Sequence, residues 1–151
     1  LVCITGDLVD GSVQNIGQEV GRLANLKSKY GVAFSTGNHE YYSGVEPWLE
    51  FLRGLGFHVL GNERMSIGDT HPGGASFDLA GIHDRQGGRF HPTLVPNIDA
   101  ALAGRDAERE LVLMAHQPAQ IAMAQGKGVG LQLSFCSQCP CRLEDVSLVV
   151  P

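Results

Sequence analysis

Two apolar stretches of this chain each run into a glycine followed by a residue that can bind a ligand. LVCIT is followed by Gly-Asp at Asp7, and VAFST is followed by Gly-Asn-His at Asn38 and His39. Continuous apolar and β-branched runs are typical of strands buried on both faces of a sheet. Glycine lets the chain turn sharply where such a strand ends. The pattern therefore predicts a layered sheet protein whose strands deliver polar side chains to one edge.

Helical periodicity separates these strands along the chain. Apolar residues recur on one face from Val13 to Ala24, after an N-cap at Ser12, and the helix is predicted to end near Tyr30 and Gly31. A second amphipathic helix has Pro47 in its first turn and an apolar face that includes Trp48, Leu49 and Leu52. Further strands are expected at 58–60, 65–67, 77–82 and 111–115, and a helix at 97–103. Alternating strands and helices predict the α/β class, with α+β layering.

Composition limits the class of protein further. The 151 residues are 43% hydrophobic, which suffices for one globular core. The formal net charge is −5 and no cluster of Lys or Arg is present, so a nucleic-acid partner is not expected. The apolar runs are strand-sized, far below the ~20 residues of a spanning helix, so we expect a soluble segment that itself makes no membrane contact.

Polar residues also follow two later strands. His83 and Asp84 come after the strand at 77–82, and His116 comes after the strand at 111–115. Carboxylate, amide oxygen and imidazole groups suit divalent ions such as Mn, Fe, Zn or Mg. The sequence therefore predicts a metal site where these strand-end polar groups converge: Asp7, Asn38, His39, His83, Asp84 and His116. For His83 and Asp84, a structural and a functional role stay open, with the structural role favoured.

Four motifs, in order, resemble the calcineurin-like metallophosphoesterase family. They are GDLVDG, GNHEYY, LAGIHD and LMAHQP, and the resemblance covers residues 1–134. It is strongest toward the branch that contains transmembrane proteins with such a domain and their bacterial relatives, which implies a membrane-associated parent protein. The resemblance implies a four-layer αββα sandwich and hydrolysis of a small-molecule or lipid-linked phosphoester. It also implies that the residue matching Asp7 bridges two divalent metal ions.

The same resemblance implies roles for three further residues. Asn38 and His116 match ligands of one of the two ions, and His39 matches a histidine that faces the substrate. An imidazole there can protonate the leaving oxygen or stabilise the phosphoryl oxygens, so His39 is the predicted catalytic residue. The neighbouring Glu40 either orients His39 or is a solvated loop acid.

The chain departs from the family pattern at both ends. The family's Asp-x-His motif, which precedes the first strand, is absent, and its Gly-His-Thr-His is replaced by a different sequence from Phe135 onward. We therefore expect a domain truncated at both ends that binds at most one ion and is weakly active or inactive. The alternative is a non-catalytic metal- or protein-binding remnant, acting as a regulator or arising as a splice product.

The remaining candidates have plainer interpretations. The divergent tail, residues 135–151, contains Cys136, Cys139 and Cys141, which form either part of a zinc knuckle or a disordered end. Asp10 is expected to stabilise a turn or to support a metal ligand indirectly. The other residues weighed are expected to pack in loops or lie at the surface: Tyr41, Tyr42, His58, His71 and His91.

Overall fold

The computed structural model describes residues 1–69, 71 and 74–135. Its helices and strands follow in chain order: β1 (Val2–Ile4), α1 (Val13–Gly21), β2 (Val32–Phe34), α2 (Asn38–Tyr42), α3 (Val45–Gly54), β3 (His58–Val59), β4 (Glu63–Gly68), β5 (Ser76–Gly81), α4 (Ile98–Leu102), β6 (Glu110–Met114), α5 (Ile121–Ala124) and β7 (Leu131–Leu133). Short 3-10 helices lie at Arg22–Asn25, Gly87–Arg89, Pro92–Leu94 and Pro118–Gln120. The alternation of strands and helices confirms the predicted α/β class.

The described strands form two sheets. In the first, β1, β2 and β3 lie side by side and run parallel, with Val2 opposite Val32. In the second, β4 pairs with β5 in an antiparallel hairpin, and β5, β6 and β7 run parallel. The hairpin joins two of the strands expected from the sequence, at 65–67 and 77–82.

Three apolar clusters mark the interfaces between successive layers. The first joins α1 and α3 to one face of the first sheet and includes Phe34, Trp48 and Leu52. The second lies between the two sheets and includes Ala33, Leu79 and Met114, and the third joins the opposite face of the second sheet to α4 and α5. Neighbouring residues of one strand enter different clusters, because successive side chains of a strand point to opposite faces. The order of layers is therefore helix, sheet, sheet, helix.

The topology brings the ends of strands from both sheets together. Asp7 lies shortly after β1, Asn38 after β2 and His116 after β6. The sheets meet at this edge, where the imidazole Nδ1 of His116 lies 2.8 Å from the carbonyl oxygen of Thr5.

Two local features differ from the sequence prediction. The first helix is α-helical only to Gly21 and then tightens into the 3-10 helix, so its regular part ends earlier than the predicted boundary near Tyr30. The helix α2 was not predicted, since five residues are too few to show helical periodicity.

Candidate metal centre

Asp7 and His116 form the centre of the site. Oδ2 of Asp7 lies 3.2 Å from Nε2 of His116, and both side chains are almost fully buried. Nε2 nevertheless has no hydrogen-bond partner within the described part of the chain. The carboxylate oxygen is within ion-pair distance of this nitrogen. A buried polar atom without a hydrogen-bond partner is unusual in a folded protein.

The other nitrogen of His116 defines the chemistry of Nε2. Nδ1 lies 2.8 Å from the Thr5 carbonyl oxygen, which can only accept a hydrogen bond, so we assign the proton to Nδ1. In the neutral imidazole the lone pair is then on Nε2. Metal-binding histidines commonly have this arrangement, with the second ring nitrogen donating to a carbonyl or carboxylate.

The electrostatics of Asp7 and His116 favour a positive charge between the Asp7 carboxylate and Nε2 of His116. Burial lowers the pKa of His116, but the Asp7 carboxylate and the Thr5 carbonyl outweigh this effect and raise the pKa above its ordinary value. A proton on Nε2 or a metal cation would each satisfy the lone pair and the carboxylate together. Two donor atoms 3.2 Å apart can both reach one ion at bond lengths of about 2.0–2.2 Å. The two donors therefore fit a divalent metal ion.

Two glycines allow Asp7 to occupy this position. Gly6 has a φ of +88° and Asp7 itself has a φ of +53°, so the chain turns sharply just after β1. A Cβ on Gly6 would collide with the backbone of Gly37, and a Cβ on Gly37 would collide with the backbone and carboxylate of Asp7. The two turns therefore pack directly against each other, and neither has room for a side chain at its glycine.

Glu40 holds the same two turns together. Its carboxylate accepts backbone hydrogen bonds from Asp7 at 3.0 Å, Leu8 at 2.7 Å and Gly37 at 2.6 Å. The side chain is fully buried, and this burial raises the pKa of Glu40 while the three hydrogen bonds act to lower it. The expectation that Glu40 orients His39 or is a solvated loop acid is therefore wrong. Its carboxylate joins the turn after β1 to the turn after β2.

Asn38 and His39 occupy the first turn of α2. Asn38 is buried, and the backbone N–H of His39 donates to Oδ1 of Asp7 at 3.0 Å. The imidazole Nδ1 of His39 lies 3.3 Å from Oδ1 of Asp10, and the His39 side chain is 27% exposed. His39 is therefore next to Asp7 but open to solvent, with Asp10 positioned to orient its ring. This contact joins Asp10 to the predicted catalytic residue and not to a predicted metal ligand.

His83 and Asp84 lie in an adjoining polar network. Nδ1 of His83 is 3.1 Å from the hydroxyl of Tyr41, which in turn is 2.8 Å from the hydroxyl of Thr36. Burial lowers the pKa of His83 to about 4, with a smaller contribution from Arg53, so the ring is neutral near pH 7. These contacts support a structural role for His83.

Asp84 connects this network to the loop that carries His116. Its carboxylate accepts hydrogen bonds from the Gln117 side chain and the Gln86 backbone, each at 2.8 Å, and it is fully buried. Gln117 directly follows His116, so Asp84 fixes the loop beside the proposed ligand. The contribution of Gln117 cannot be recognised in the sequence, because an isolated glutamine carries no distinctive signal.

Asn38 is the third residue of the predicted ligand set, and its side chain offers an amide oxygen. Across residues 1–69, 71 and 74–135, no group of three or more His, Cys, Asp or Glu side chains could hold a metal ion. A metal site there therefore depends on Asn38 in addition to Asp7 and His116. The assignment of these three residues as ligands, and of His39 as catalytic, stays a prediction.

The structure also locates the remaining candidates. Trp48, Leu49 and Leu52 are buried in the core, as predicted, while His58, His71 and His91 are exposed. Tyr41 packs in the interior, but Tyr42 lies largely exposed rather than packed in a loop. The tail cysteines lie outside the described residues: Cys136, Cys139 and Cys141.

Comparison with known proteins identifies the family. The model of the calcineurin-like phosphoesterase family matches residues 1–145, and the chain belongs to this family. Its members generally use divalent metal ions, in agreement with the donor atoms described above. No solved structure matches the chain.

Curated relatives support the same assignment. An uncharacterized metallophosphoesterase of Helicobacter pylori strain J99 is 38% identical over 135 residues, covering 89% of this chain and 34% of the relative. The transmembrane protein with metallophosphoesterase domain of Danio rerio is 33% identical over 138 residues, covering 89% of this chain and 32% of the relative. The protein of the same name from Bos taurus is 36% identical over 120 residues, covering 76% and 27%. The chain thus spans about a third of the length of these relatives. Among its described helices, none has the length and apolar character needed to cross a bilayer.

Proposed function

We propose that this chain is a divalent-metal-dependent phosphoester hydrolase domain in which Asp7, Asn38 and His116 bind one ion. The observation that carries the proposal is the buried Nε2 of His116, which lies 3.2 Å from the Asp7 carboxylate without a hydrogen-bond partner among the described residues. The alignment of the chain with the calcineurin-like phosphoesterase family supports the reaction class. The donor types suit Mn, Fe, Zn or Mg.

Each residue of the site has a distinct part in the proposed reaction. A bound divalent ion supplies positive charge for the phosphoryl oxygens and lowers the pKa of water. The Thr5 carbonyl keeps the proton of His116 on Nδ1, so that Nε2 is available as a ligand. Glu40 and the two glycines hold Asp7 beside the start of α2, where Asn38 is the first residue.

His39 is proposed as the general acid. Water adds to phosphorus, the bond from phosphorus to the leaving oxygen breaks, and that oxygen takes a proton from His39. The proton lost by the attacking water restores the imidazolium, so ester and water give a phosphate and an alcohol. The Asp10 carboxylate at 3.3 Å orients the ring. The substrate is a small-molecule or lipid-linked phosphoester, and with one ion we propose weak activity.

A non-catalytic metal-binding domain is the second candidate. Among the described residues no third His, Cys, Asp or Glu side chain joins Asp7 and His116 in a group that could hold a metal ion, whereas catalytic zinc sites typically have three protein ligands. Under this alternative, Asp7 and His116 bind an ion, but His39 has no chemical role.

Metal binding and hydrolysis measured on the same purified chain distinguish these functions. We expect calorimetry to give one Mn²⁺ per chain, and Asp7→Asn to abolish both binding and hydrolysis of p-nitrophenyl and bis-p-nitrophenyl phosphate. His39→Asn keeps the metal and lowers hydrolysis by about 10²–10⁴-fold, the usual range for loss of a general acid. His91→Asn, at an exposed histidine, is the control and should match the wild type. Hydrolysis that is unaffected by both Asp7→Asn and His39→Asn would overturn the proposal, and metal binding with no hydrolysis would favour the second candidate.

A further inference from the structure

Two exposed aromatic rings lie beside His39. Tyr42 is 58% exposed and Phe90 is 46% exposed, so both rings are accessible to a ligand. The rings of His39 and Tyr42 meet edge to face with centroids 6.0 Å apart, and the Tyr42 and Phe90 centroids are 5.8 Å apart. We call Tyr42 and Phe90 the aromatic surface. Within this surface, Tyr42 is the ring that contacts His39, and Phe90 contacts Tyr42.

The backbone fixes both rings of the aromatic surface. Tyr42 is the last residue of α2, the helix that also carries His39. Phe90 directly follows the 3-10 helix Gly87–Arg89, and its N–H donates to the Gly87 carbonyl at 2.9 Å. The buried Tyr41 packs beneath Phe90 with ring centroids 5.5 Å apart. The rings are therefore held in place before any ligand binds, which reduces the entropy lost on binding.

Charged side chains of both signs and an apolar cleft border the aromatic surface, with Glu46 supplying a carboxylate at the cleft. Arg85 and Arg89 are exposed in the segment that carries Phe90, and neither forms an ion pair with any described residue. Phe90 also lines a surface cleft of about 280 Å³ together with Tyr41, Val45 and Leu94. The cleft provides apolar contact beyond the rings themselves.

We propose that the aromatic surface binds the leaving group of the phosphoester, and that this group is aromatic or otherwise apolar. The inference rests on the proposed function, in which His39 protonates the leaving oxygen. Because His39 is in ring contact with Tyr42, the carbon group attached to that oxygen lies against Tyr42 and then Phe90. The site should therefore select esters by the apolar character of the alcohol that is released.

Binding of two phosphonates tests the subsite without relying on turnover. Phenylphosphonate and methylphosphonate carry the same anionic group, but only the first carries an aromatic ring. We expect NMR titrations of the full chain with Mg²⁺ present to give about threefold to tenfold tighter binding of phenylphosphonate, the range typical of one or two ring contacts. Tyr42→Ala and Phe90→Ala should each reduce this preference, whereas Tyr42→Phe should keep it.

Leu26→Ala is the matched control, because Leu26 is also an exposed large apolar residue but is not part of the aromatic surface. It should bind both phosphonates as the wild type does. Equal affinity of the wild type for the two phosphonates, or a phenyl preference that survives both alanine variants, would overturn the subsite and leave the proposed function intact. Failure of both phosphonates to bind would overturn the proposed function and the subsite with it.

Discussion

Nδ1 of His116 lies 2.8 Å from the carbonyl oxygen of Thr5, although 111 residues separate them in the chain. This hydrogen bond joins the end of the second sheet to the end of the first. It also places the lone pair of His116 on Nε2, next to the Asp7 carboxylate. One contact therefore both connects the layers and prepares a metal ligand.

Replacement of His116 should abolish metal binding, whereas replacement of an exposed histidine should leave metal binding unchanged. His116→Gln is expected to weaken Mn²⁺ binding by more than about 100-fold, because loss of a direct ligand exceeds the 10–100-fold effect of losing its hydrogen-bond partner. Calorimetric titration of the purified chain measures the change. His58→Gln, at an exposed position of β3, is the control. Equal losses in the two variants would show that the effect is not specific to the site.

Glu40 should contribute to stability through its backbone hydrogen bonds. Glu40→Gln replaces one acceptor oxygen with an amide that faces backbone donors, so at least one of three hydrogen bonds is lost. We expect the free energy of unfolding in urea to fall by about 2–3 kcal/mol, since hydrogen bonds to charged groups contribute about 1.5–3 kcal/mol. Glu50→Gln, an exposed change in α3, should alter it by less than about 0.5 kcal/mol. A stable Glu40→Gln variant would contradict the assigned role.

Gly37 and Gly54 offer a comparison between two identical substitutions. A Cβ at Gly37 meets the backbone and carboxylate of Asp7, so Gly37→Ala should displace Asp7 and lower both metal affinity and stability. A Cβ at Gly54 meets nothing within 4 Å, and Gly54 lies in α3. Gly54→Ala should therefore stabilise the protein by about 0.5–1 kcal/mol. Thermal unfolding and Mn²⁺ titration of both variants check the contrast, and similar behaviour of the two would contradict the packing described here.

His83 should make the protein less stable in mild acid. Its folded pKa is about 4, whereas an unfolded histidine has a pKa of about 6.5, so the unfolded state binds the extra proton between these values. The contribution of His83 is therefore fully present above about pH 6.5 and is lost as the pH falls toward 4. The total loss is on the order of 3 kcal/mol.

Urea unfolding of the wild type and of His83→Gln between pH 4.5 and 7 measures this dependence. The wild type should lose stability more steeply than the variant, by about 1 kcal/mol per pH unit. Parallel pH profiles for the two proteins would show that His83 does not titrate as described.

The positions of the site residues could largely be predicted from the sequence. Asp7, Asn38 and His116 each follow a recognisable strand, and the parallel arrangement of β1 with β2 and of β5 with β6 brings strand ends to common edges. The layered fold also follows from strands that are apolar on both faces, such as β2. These inferences need only local patterns and the general rule for the ends of parallel strands.

The supporting contacts could not be predicted in the same way. Glu40 binds backbone groups 32 and 33 residues away, and the contact between His39 and Asp10 spans 29 residues. Such pairs are defined only once β1 and β2 are aligned. A glutamate three residues after the N-cap glycine of α2 is a signal that predicts its bond to Gly37, but not the bonds to Asp7 and Leu8.

Imidazole ¹⁵N NMR during titration with Zn²⁺ tests the central claim most directly. Before metal is added, His116 should show a protonated Nδ1. During the titration its Nε2 signal should shift in proportion to one bound ion, while Nδ1 keeps its proton. Asp7→Asn should prevent the shift. If Zn²⁺ instead shifts only the exposed His58, His71 or His91, or if His116 responds equally in Asp7→Asn, the proposed metal site at Asp7 and His116 is wrong.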